Sequence, residues 1–147
     1  MINGSPLGYF SNSRGLRQGD PISPYLFVLV MEFWSIQMDM AIASGELQPL
    51  KRGMSIPVFH LLFADDMLLF FKASKKSFST INGLLAKLAL NTGLSINRDK
   101  SKLFLSKGCR DKEDPSELIQ IPAGNFPVTY LGLPLSHNYL KAKDCNR

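Results

Sequence analysis

The 147-residue sequence has few residues that could form disulfides or bind zinc. Its two cysteines, Cys109 and Cys145, are far apart, and His60 and His137 stand at no metal-ligand spacing from them. Such usage is typical of reduced, incidental thiols in an intracellular protein. The sequence therefore predicts neither a disulfide framework nor a zinc site.

Long apolar runs are also scarce. The longest one, Tyr25 to Met31, stops at Glu32, short of the roughly 20 residues that a membrane span needs. The first ten residues lack the basic and apolar regions of a signal peptide, and no internal repeat or low-complexity tract is present. We expect a soluble, intracellular protein without membrane contact, whose nuclear or cytoplasmic location the sequence leaves open.

The composition is that of a globular domain. Hydrophobic residues make up 45% and charged residues 20%, enough for one domain with a core. Lys and Arg number 17 against 12 Asp and Glu, a formal net charge of +5. This excess is compatible with a polyanionic partner, although many proteins that bind no nucleic acid are equally basic.

The stretch HLLFADDMLLFF, residues 60–71, carries two adjacent carboxylates, Asp65 and Asp66, between two apolar runs of strand length. This pattern predicts a β-hairpin that turns at the acids. Like charges at close range disfavour joint ionisation, and a hard cation such as Mg²⁺, which takes oxygen ligands, would remove that cost. Asp is also a common turn residue without any metal, so both interpretations stay open at this point.

A loop rich in Gly, Pro and Arg precedes these residues. Residues 11–24, SNSRGLRQGDPISP, contain Arg14, Arg17 and Gln18, which suit phosphate and base contacts or a solvated surface loop equally. Further upstream, Asn3-Gly4 is a strong hairpin signal with two residues before it. It indicates that the first strand of that hairpin is missing.

Two helices are predicted. Ser23 as N-cap and Pro24 at the first helical position begin the first, and Gly45 ends it. Because Tyr25 to Ala43 is apolar nearly all round, we expect this helix to be mostly buried.

The second helix is predicted to begin at a Ser77 cap and to end at Gly93, with apolar residues at helical spacing between them. It is amphipathic, so it should lie across one face of a sheet. We expect a strand beginning near Ile56, short extended pieces at Leu94 to Ile96 and Leu103 to Leu105, and a surface loop over 107–117.

The order of four stretches resembles the second half of a reverse transcriptase catalytic domain, more narrowly that of non-LTR (LINE-type) retrotransposons. RGLRQGDPISPYLF (14–27) resembles motif B, and FADD (63–66) resembles the metal-binding hairpin of motif C. GLSINRDKSK (93–102) resembles motif D, and YLGLPL (130–135) resembles the motif E hairpin that grips the primer.

The resemblance implies an α+β fold. Residues 1–135 would form a partial polymerase palm, an antiparallel sheet with two main helices packed on one face, and 136–147 the truncated start of a thumb or connection. It also implies RNA-directed DNA synthesis, a nucleotidyl transfer that uses Mg²⁺, an RNA template, a DNA primer and deoxynucleotide triphosphates.

Residue roles follow from the same resemblance. Asp65 would be the main metal ligand and Asp66 the weaker one. Lys100 would protonate the leaving pyrophosphate or act as a point charge on phosphate. The template and nucleotide site would comprise Arg14, Arg17, Gln18, Gly19, Ser23 and Pro24, and the primer grip Tyr130, Leu131 and Gly132.

The sequence departs from the family most importantly in its metal ligands; it also lacks the family's fingers, the side chain that screens the sugar of the incoming nucleotide, most of the thumb and any endonuclease. A further aspartate, on a strand before motif B, completes the family's metal site, yet no acidic residue precedes Asp20 here. We therefore expect a truncated product that is inactive alone.

Two alternatives remain open. One is a non-catalytic nucleic-acid-binding module, and the other is a non-functional remnant with an unpaired strand edge. The module would use Arg14, Arg17, Lys51, Arg52, Lys75 and Lys76 on phosphates.

Overall fold

The computed structural model describes residues 15–16, 19–50, 58–106 and 116–136, with the side chains of Ser116 and Glu117 left aside. It has the mixed α+β content that the sequence predicts. The elements, in chain order, are α1 (Ser23–Ala43), β1 (His60–Phe63), β2 (Asp66–Leu69), α2 (Lys75–Thr92), α3 (Ser116–Ile119), β3 (Val128–Tyr130) and β4 (Leu133–Leu135).

Some predictions fall on residues outside these ranges. The Asn3-Gly4 turn, the strand start near Ile56 and the segment 137–147 lie there. Five residues predicted to contact nucleic acid also lie outside the described ranges. They are Arg14, Arg17, Gln18, Lys51 and Arg52.

The start of α1 differs from the prediction by one residue. Ile22, not Ser23, is the N-cap, and no side chain caps the helix there. Asp20 replaces that cap, because its carboxylate accepts from the Ile22 N–H at 3.0 Å and its carbonyl accepts from the Ser23 N–H at 3.1 Å. The aspartate closes a turn on its own backbone, so Ser23 becomes the first helical residue.

The predicted end of α1 is confirmed. Gly45 follows the C-cap Ser44 with φ +71°, a left-handed conformation that glycine adopts without strain. The chain then folds back, and the Leu47 N–H donates to the Ala41 carbonyl at 2.9 Å. Leu47 is thereby brought into the core, where it is 1% exposed.

The prediction that α1 is mostly buried is wrong. Only Trp34, Met38 and Ala41 are buried on this helix, whereas Tyr25 is 72% exposed and Met40 61%. The helix is apolar on both sides, but its described helical partner, α2, covers one of them. By length and composition α1 could also cross a bilayer, a test that the core helices of water-soluble proteins pass as well.

The second helix has a cap that the sequence analysis placed three residues too late. Ser74 is the N-cap, and its hydroxyl accepts from the Ser77 N–H at 3.1 Å. Ser77 lies inside the first turn with its side chain buried. The predicted stop at Gly93 is confirmed, with φ +76° and its N–H donating to the Ala89 carbonyl at 2.9 Å.

The core lies between α1 and α2. The α2 residues that face α1 recur every three or four positions, as an amphipathic helix requires. Leu62, Met67 and Leu69 of the first hairpin pack against this core while remaining half-buried. The buried apolar residues are Trp34, Met38, Ala41, Leu47, Phe78, Ile81, Leu84, Leu85, Leu88 and Ile119.

The strands form two separate hairpins rather than one sheet within the described residues. β1 pairs with β2, and β3 pairs with β4, both antiparallel. Of the extended pieces predicted after α2, Leu103 makes a single parallel bridge to Ala123. The predicted loop over 107–117 is wrong at its end, because α3 begins at Ser116.

Candidate functional site

The predicted acidic hairpin is confirmed. Phe63 pairs with Asp66 across β1 and β2, which leaves Ala64 and Asp65 as a two-residue turn. Ala64 has φ +49°, a conformation that two-residue hairpin turns require and that a residue with a Cβ adopts at some cost. Asp65 therefore occupies the second turn position, and Asp66 is the first residue of β2.

The side chains of the hairpin divide between two faces. Leu62 and Met67 are cross-strand partners that pack toward the core. Because successive strand residues point to opposite faces, Phe63 and Asp66 share the outward face. Phe63 is 59% exposed, and both aspartates are exposed. The apolar face thus anchors the hairpin and the carboxylates project into solvent.

The donor set suits a metal ion that is shared with a substrate. Among the described residues no group of three or more His, Cys, Asp and Glu could enclose a metal. Mg²⁺ commonly binds through one or two carboxylates and completes its shell with substrate phosphates and water. Asp65 and Asp66 fit that mode and do not by themselves form a closed protein site.

A histidine contact links this hairpin to α1. His60, at the start of β1, lies with Nε2 3.1 Å from the Ser35 hydroxyl of α1. The sequence analysis considered His60 only as a possible metal ligand and missed this contact. The available signal was its position, since His60 precedes Leu62 by two residues and so shares its core-facing side.

Lys100 lies in the turn that follows α2. Its backbone N–H donates to the Asn97 side-chain oxygen at 3.1 Å, and its own side chain is exposed. The neighbouring Arg98 holds this turn, because its guanidinium donates to the Ile119 carbonyl and, at 3.3 Å, to the Asn82 side-chain oxygen. The sequence analysis assigned no role to Arg98, and the role of Lys100 stays a prediction.

The described part of the predicted template site lies where α1 begins. Gly19 has φ +84° and is exposed, and a Cβ there would meet no atom within 4 Å. Ser23 is half-buried and Pro24 exposed, at the first and second helical positions. Gly19 is thus required by its backbone conformation rather than by crowding.

The predicted primer-grip residues lie on the second hairpin. Tyr130 pairs with Leu133, and the turn between them is Leu131 and Gly132, with φ of +50° and +81°. Leu131 is 49% exposed at this tip. The first turn position of each hairpin is therefore an exposed residue other than glycine with a positive φ, Ala64 in the first hairpin and Leu131 in the second.

Two packed helices and a hairpin with adjacent, exposed carboxylates make up this part of the α+β domain. The family model for reverse transcriptase (RNA-dependent DNA polymerase) matches residues 1–135. The chain therefore belongs to the reverse transcriptase family.

A curated relative covers a shorter part of the chain. An uncharacterized mitochondrial protein of Arabidopsis thaliana is 49% identical over 67 residues, which are 45% of this chain and 55% of that protein. The match thus spans about half the length of the relative. No solved structure matches the chain.

Proposed function

We propose that this chain is part of the palm of a non-LTR (LINE-type) reverse transcriptase, whose acidic hairpin supplies metal ligands for RNA-directed DNA synthesis. The observation that carries the proposal is the FADD hairpin, where Asp65 in the turn and Asp66 at the start of β2 are both exposed and Leu62 and Met67 anchor the strands. Membership of the reverse transcriptase family supports it.

The proposed roles of the acids follow from their positions. Asp65, at the turn, would be the main ligand of Mg²⁺, and Asp66, on the outward face of β2, the weaker one. When bound, the metal stabilises the attacking and leaving oxygens of a phosphoryl transfer. The protein's part is to hold both carboxylates at the rim of an anchored hairpin, where the phosphates of a nucleotide can reach them.

We propose that the 147-residue chain does not polymerise DNA alone. Two-metal catalysis uses two ions held about 3.5–4 Å apart, and the described residues contain no cluster of three or more potential ligands that would hold such a pair. The role of Asp66 is then to help bind a cation rather than to complete an active site.

The proposed partners are an RNA template, a DNA primer and deoxynucleotide triphosphates. Gly19, with its open Cβ direction, would lie against the template, and the tip formed by Leu131 and Gly132 against the primer end. The assignment of 136–147 to a thumb or connection and the location inside the cell stay predictions.

Metal binding is tested by NMR with Mn²⁺ as the paramagnetic probe. We expect selective broadening of the amide signals from Ala64 to Met67, and its loss in Asp65→Asn. Asp99→Asn is the matched control, because Asp99 is an exposed aspartate outside the hairpin. Broadening that persists in Asp65→Asn, or that is equally lost in Asp99→Asn, would contradict the proposal.

Catalysis is tested separately by primer extension on an RNA template with Mg²⁺. We expect no extension by the chain alone. Extension that disappears in Asp65→Asn would overturn the proposed inactivity while supporting the metal assignment.

A second candidate function is non-catalytic binding of nucleic acid. Lys75 and Lys76 favour it, because both are exposed in the first turn of α2. Lys76 also donates to the Gly45 carbonyl at 3.1 Å, so its ammonium is held beside the end of α1. Binding of this kind should weaken steeply with salt and survive Asp65→Asn.

A further inference from the structure

The side of α1 that faces away from the core is strongly apolar. Residues on it recur at helical spacing opposite Trp34 and Met38. We call this surface the α1 outer face; it comprises Tyr25 (72% exposed), Val28 (64%), Leu29 (64%), Ile36 (48%) and Met40 (61%). These exposures leave an apolar area on the order of 600 Å², near the ~800 Å² that each partner contributes to a standard interface.

Two acids lie within this face, because Glu32 is four residues from both Val28 and Ile36 and Asp39 is three from Ile36. Glu32 and Asp39 are exposed on the same side of α1, and the helix contains no Lys, Arg or His. Packing two α1 outer faces together would bury carboxylates without a cation, which is costly. Burial in a bilayer would cost about 2.5–3.5 kcal/mol for an acid at the helix centre. The face therefore favours a partner that combines apolar contact with positive charge.

The outward side of α2 has an open depression and an exposed lysine. An open groove of about 420 Å³ is lined there by Ser79, Asn82, Gly83, Ala86 and Leu118. We call it the α2 groove. On the same side of the helix, Leu90 is 86% exposed and Lys87 is exposed. The lining of the groove mixes small, polar and apolar side chains, and the exposed Lys87 on the same side of α2 can meet the acids of the α1 outer face.

Gly83 is not explained by packing within the chain. Its added Cβ would meet no atom within 4 Å, yet glycine inside an exposed helix costs about 0.5–1 kcal/mol relative to alanine. The glycine keeps the groove open. Close approach of another segment is a reason to retain it.

We propose that the α1 outer face of one copy of this chain packs into the α2 groove of a second copy. The large side chains Leu29 and Ile36 fill the groove beside Gly83, and the acids of α1 meet Lys87. The two surfaces differ, so the contact is heterologous and the pair keeps one free surface of each kind, the α2 groove of one copy and the α1 outer face of the other. The inference is independent of the polymerase assignment and would hold for an inactive chain.

The test is sedimentation velocity of the full chain over a wide concentration range. We expect wild type to associate to twice the mass of one chain and beyond. Ile36→Glu disables the α1 outer face, and Gly83→Leu fills the α2 groove; each should weaken association at least about 30-fold, as expected for the loss of a central contact. An equimolar mixture of the two variants should form a 1:1 dimer, because one intact surface of each kind remains.

Controls separate this contact from other associations. Leu61→Glu alters an exposed apolar residue of β1, 46% exposed, and should leave association unchanged. Lys87→Glu should weaken it, and Glu32→Lys should partly restore it in the same chain. Circular dichroism and melting curves establish that each variant folds.

Several outcomes overturn the proposal. A wild-type chain that stays monomeric at every concentration excludes self-association. Association that survives Gly83→Leu indicates direct contact between α1 faces. Flotation of monomers with anionic phospholipid vesicles, without self-association, assigns the α1 outer face to a membrane.

Discussion

Ser35 of α1 and His60 of β1 are joined by a hydrogen bond of 3.1 Å. The Ser35 hydroxyl already donates its single proton to the Met31 carbonyl at 3.0 Å, so its oxygen must accept from the histidine. His60 Nε2 therefore carries the proton. The bond links the middle of α1 to the strand that leads into Asp65.

Breaking this link should loosen the acidic hairpin. Ser35→Ala leaves the His60 N–H without its acceptor and should lower the free energy of unfolding by about 1–3 kcal/mol. Ser44→Ala is the control, because Ser44 is exposed and its hydroxyl bonds only within its own turn, to the Ala41 carbonyl at 3.1 Å. Urea unfolding measures both. A double-mutant cycle with His60→Leu that shows no coupling would rule out the contact.

The cap of α2 provides a second prediction. Ser74→Ala removes the acceptor of the Ser77 N–H, 3.1 Å away, and should cost about 0.5–2 kcal/mol of stability. Ser79→Ala, exposed in the same helix, should change stability by less than about 0.5 kcal/mol. Thermal melting of both variants measures the two stability changes, and equal changes would show that Ser74 is not the cap.

The turn of the acidic hairpin is strained at Ala64. Glycine adopts its φ of +49° freely, so Ala64→Gly should stabilise the chain by up to about 1 kcal/mol despite the greater freedom of the unfolded chain. Ala86→Gly is the control with the opposite expected effect. Ala86 is solvent-exposed in the middle of α2, and glycine there should lower the free energy of unfolding by about 1 kcal/mol. Loss of stability in Ala64→Gly, measured in urea, would contradict the strained turn.

A close approach of two segments predicts the effect of Gly124→Ala. The new Cβ would lie 2.6 Å from a ring carbon of Phe104, and that ring packs against Phe126 with centroids 4.9 Å apart. Shifting it should cost about 1–3 kcal/mol. Gly83→Ala, which meets open space, should instead stabilise α2 by roughly 0.5–1 kcal/mol. Equal melting temperatures for the two variants would refute the clash.

The two faces of α1 can be distinguished by two methionines. Met38 is 0% exposed and Met40 61%. Met38→Ala should destabilise the chain by about 2–5 kcal/mol, the cost of a core cavity, while Met40→Ala should change stability by less than about 0.5 kcal/mol. Unfolding at low protein concentration keeps self-association out of the comparison. Similar losses would mean that α1 is covered on both sides.

Helix ends and hairpin turns could be predicted from the sequence where one or two residues determine the local backbone conformation. Gly45 and Gly93 end their helices because glycine reaches positive φ freely, and the two apolar runs on either side of Asp65 and Asp66 predict the hairpin that forms there. The N-caps were displaced because Asp20 and Ser74 accept from earlier backbone donors, the N–H groups of Ile22 and Ser77. The roles of Lys100 and the primer-tip residues rest on the family resemblance alone.

By itself the sequence determined the acidic hairpin and the two long helices, because short-range periodicity and turn residues encode these. The reverse transcriptase family followed from the resemblance of four motifs and from the family match over residues 1–135. Only the tertiary structure decided which face of α1 is buried, since an apolar helix carries no signal that distinguishes its sides. The same holds for the bond from Ser35 to His60. Such contacts join residues far apart in the chain, and packing geometry alone selects them.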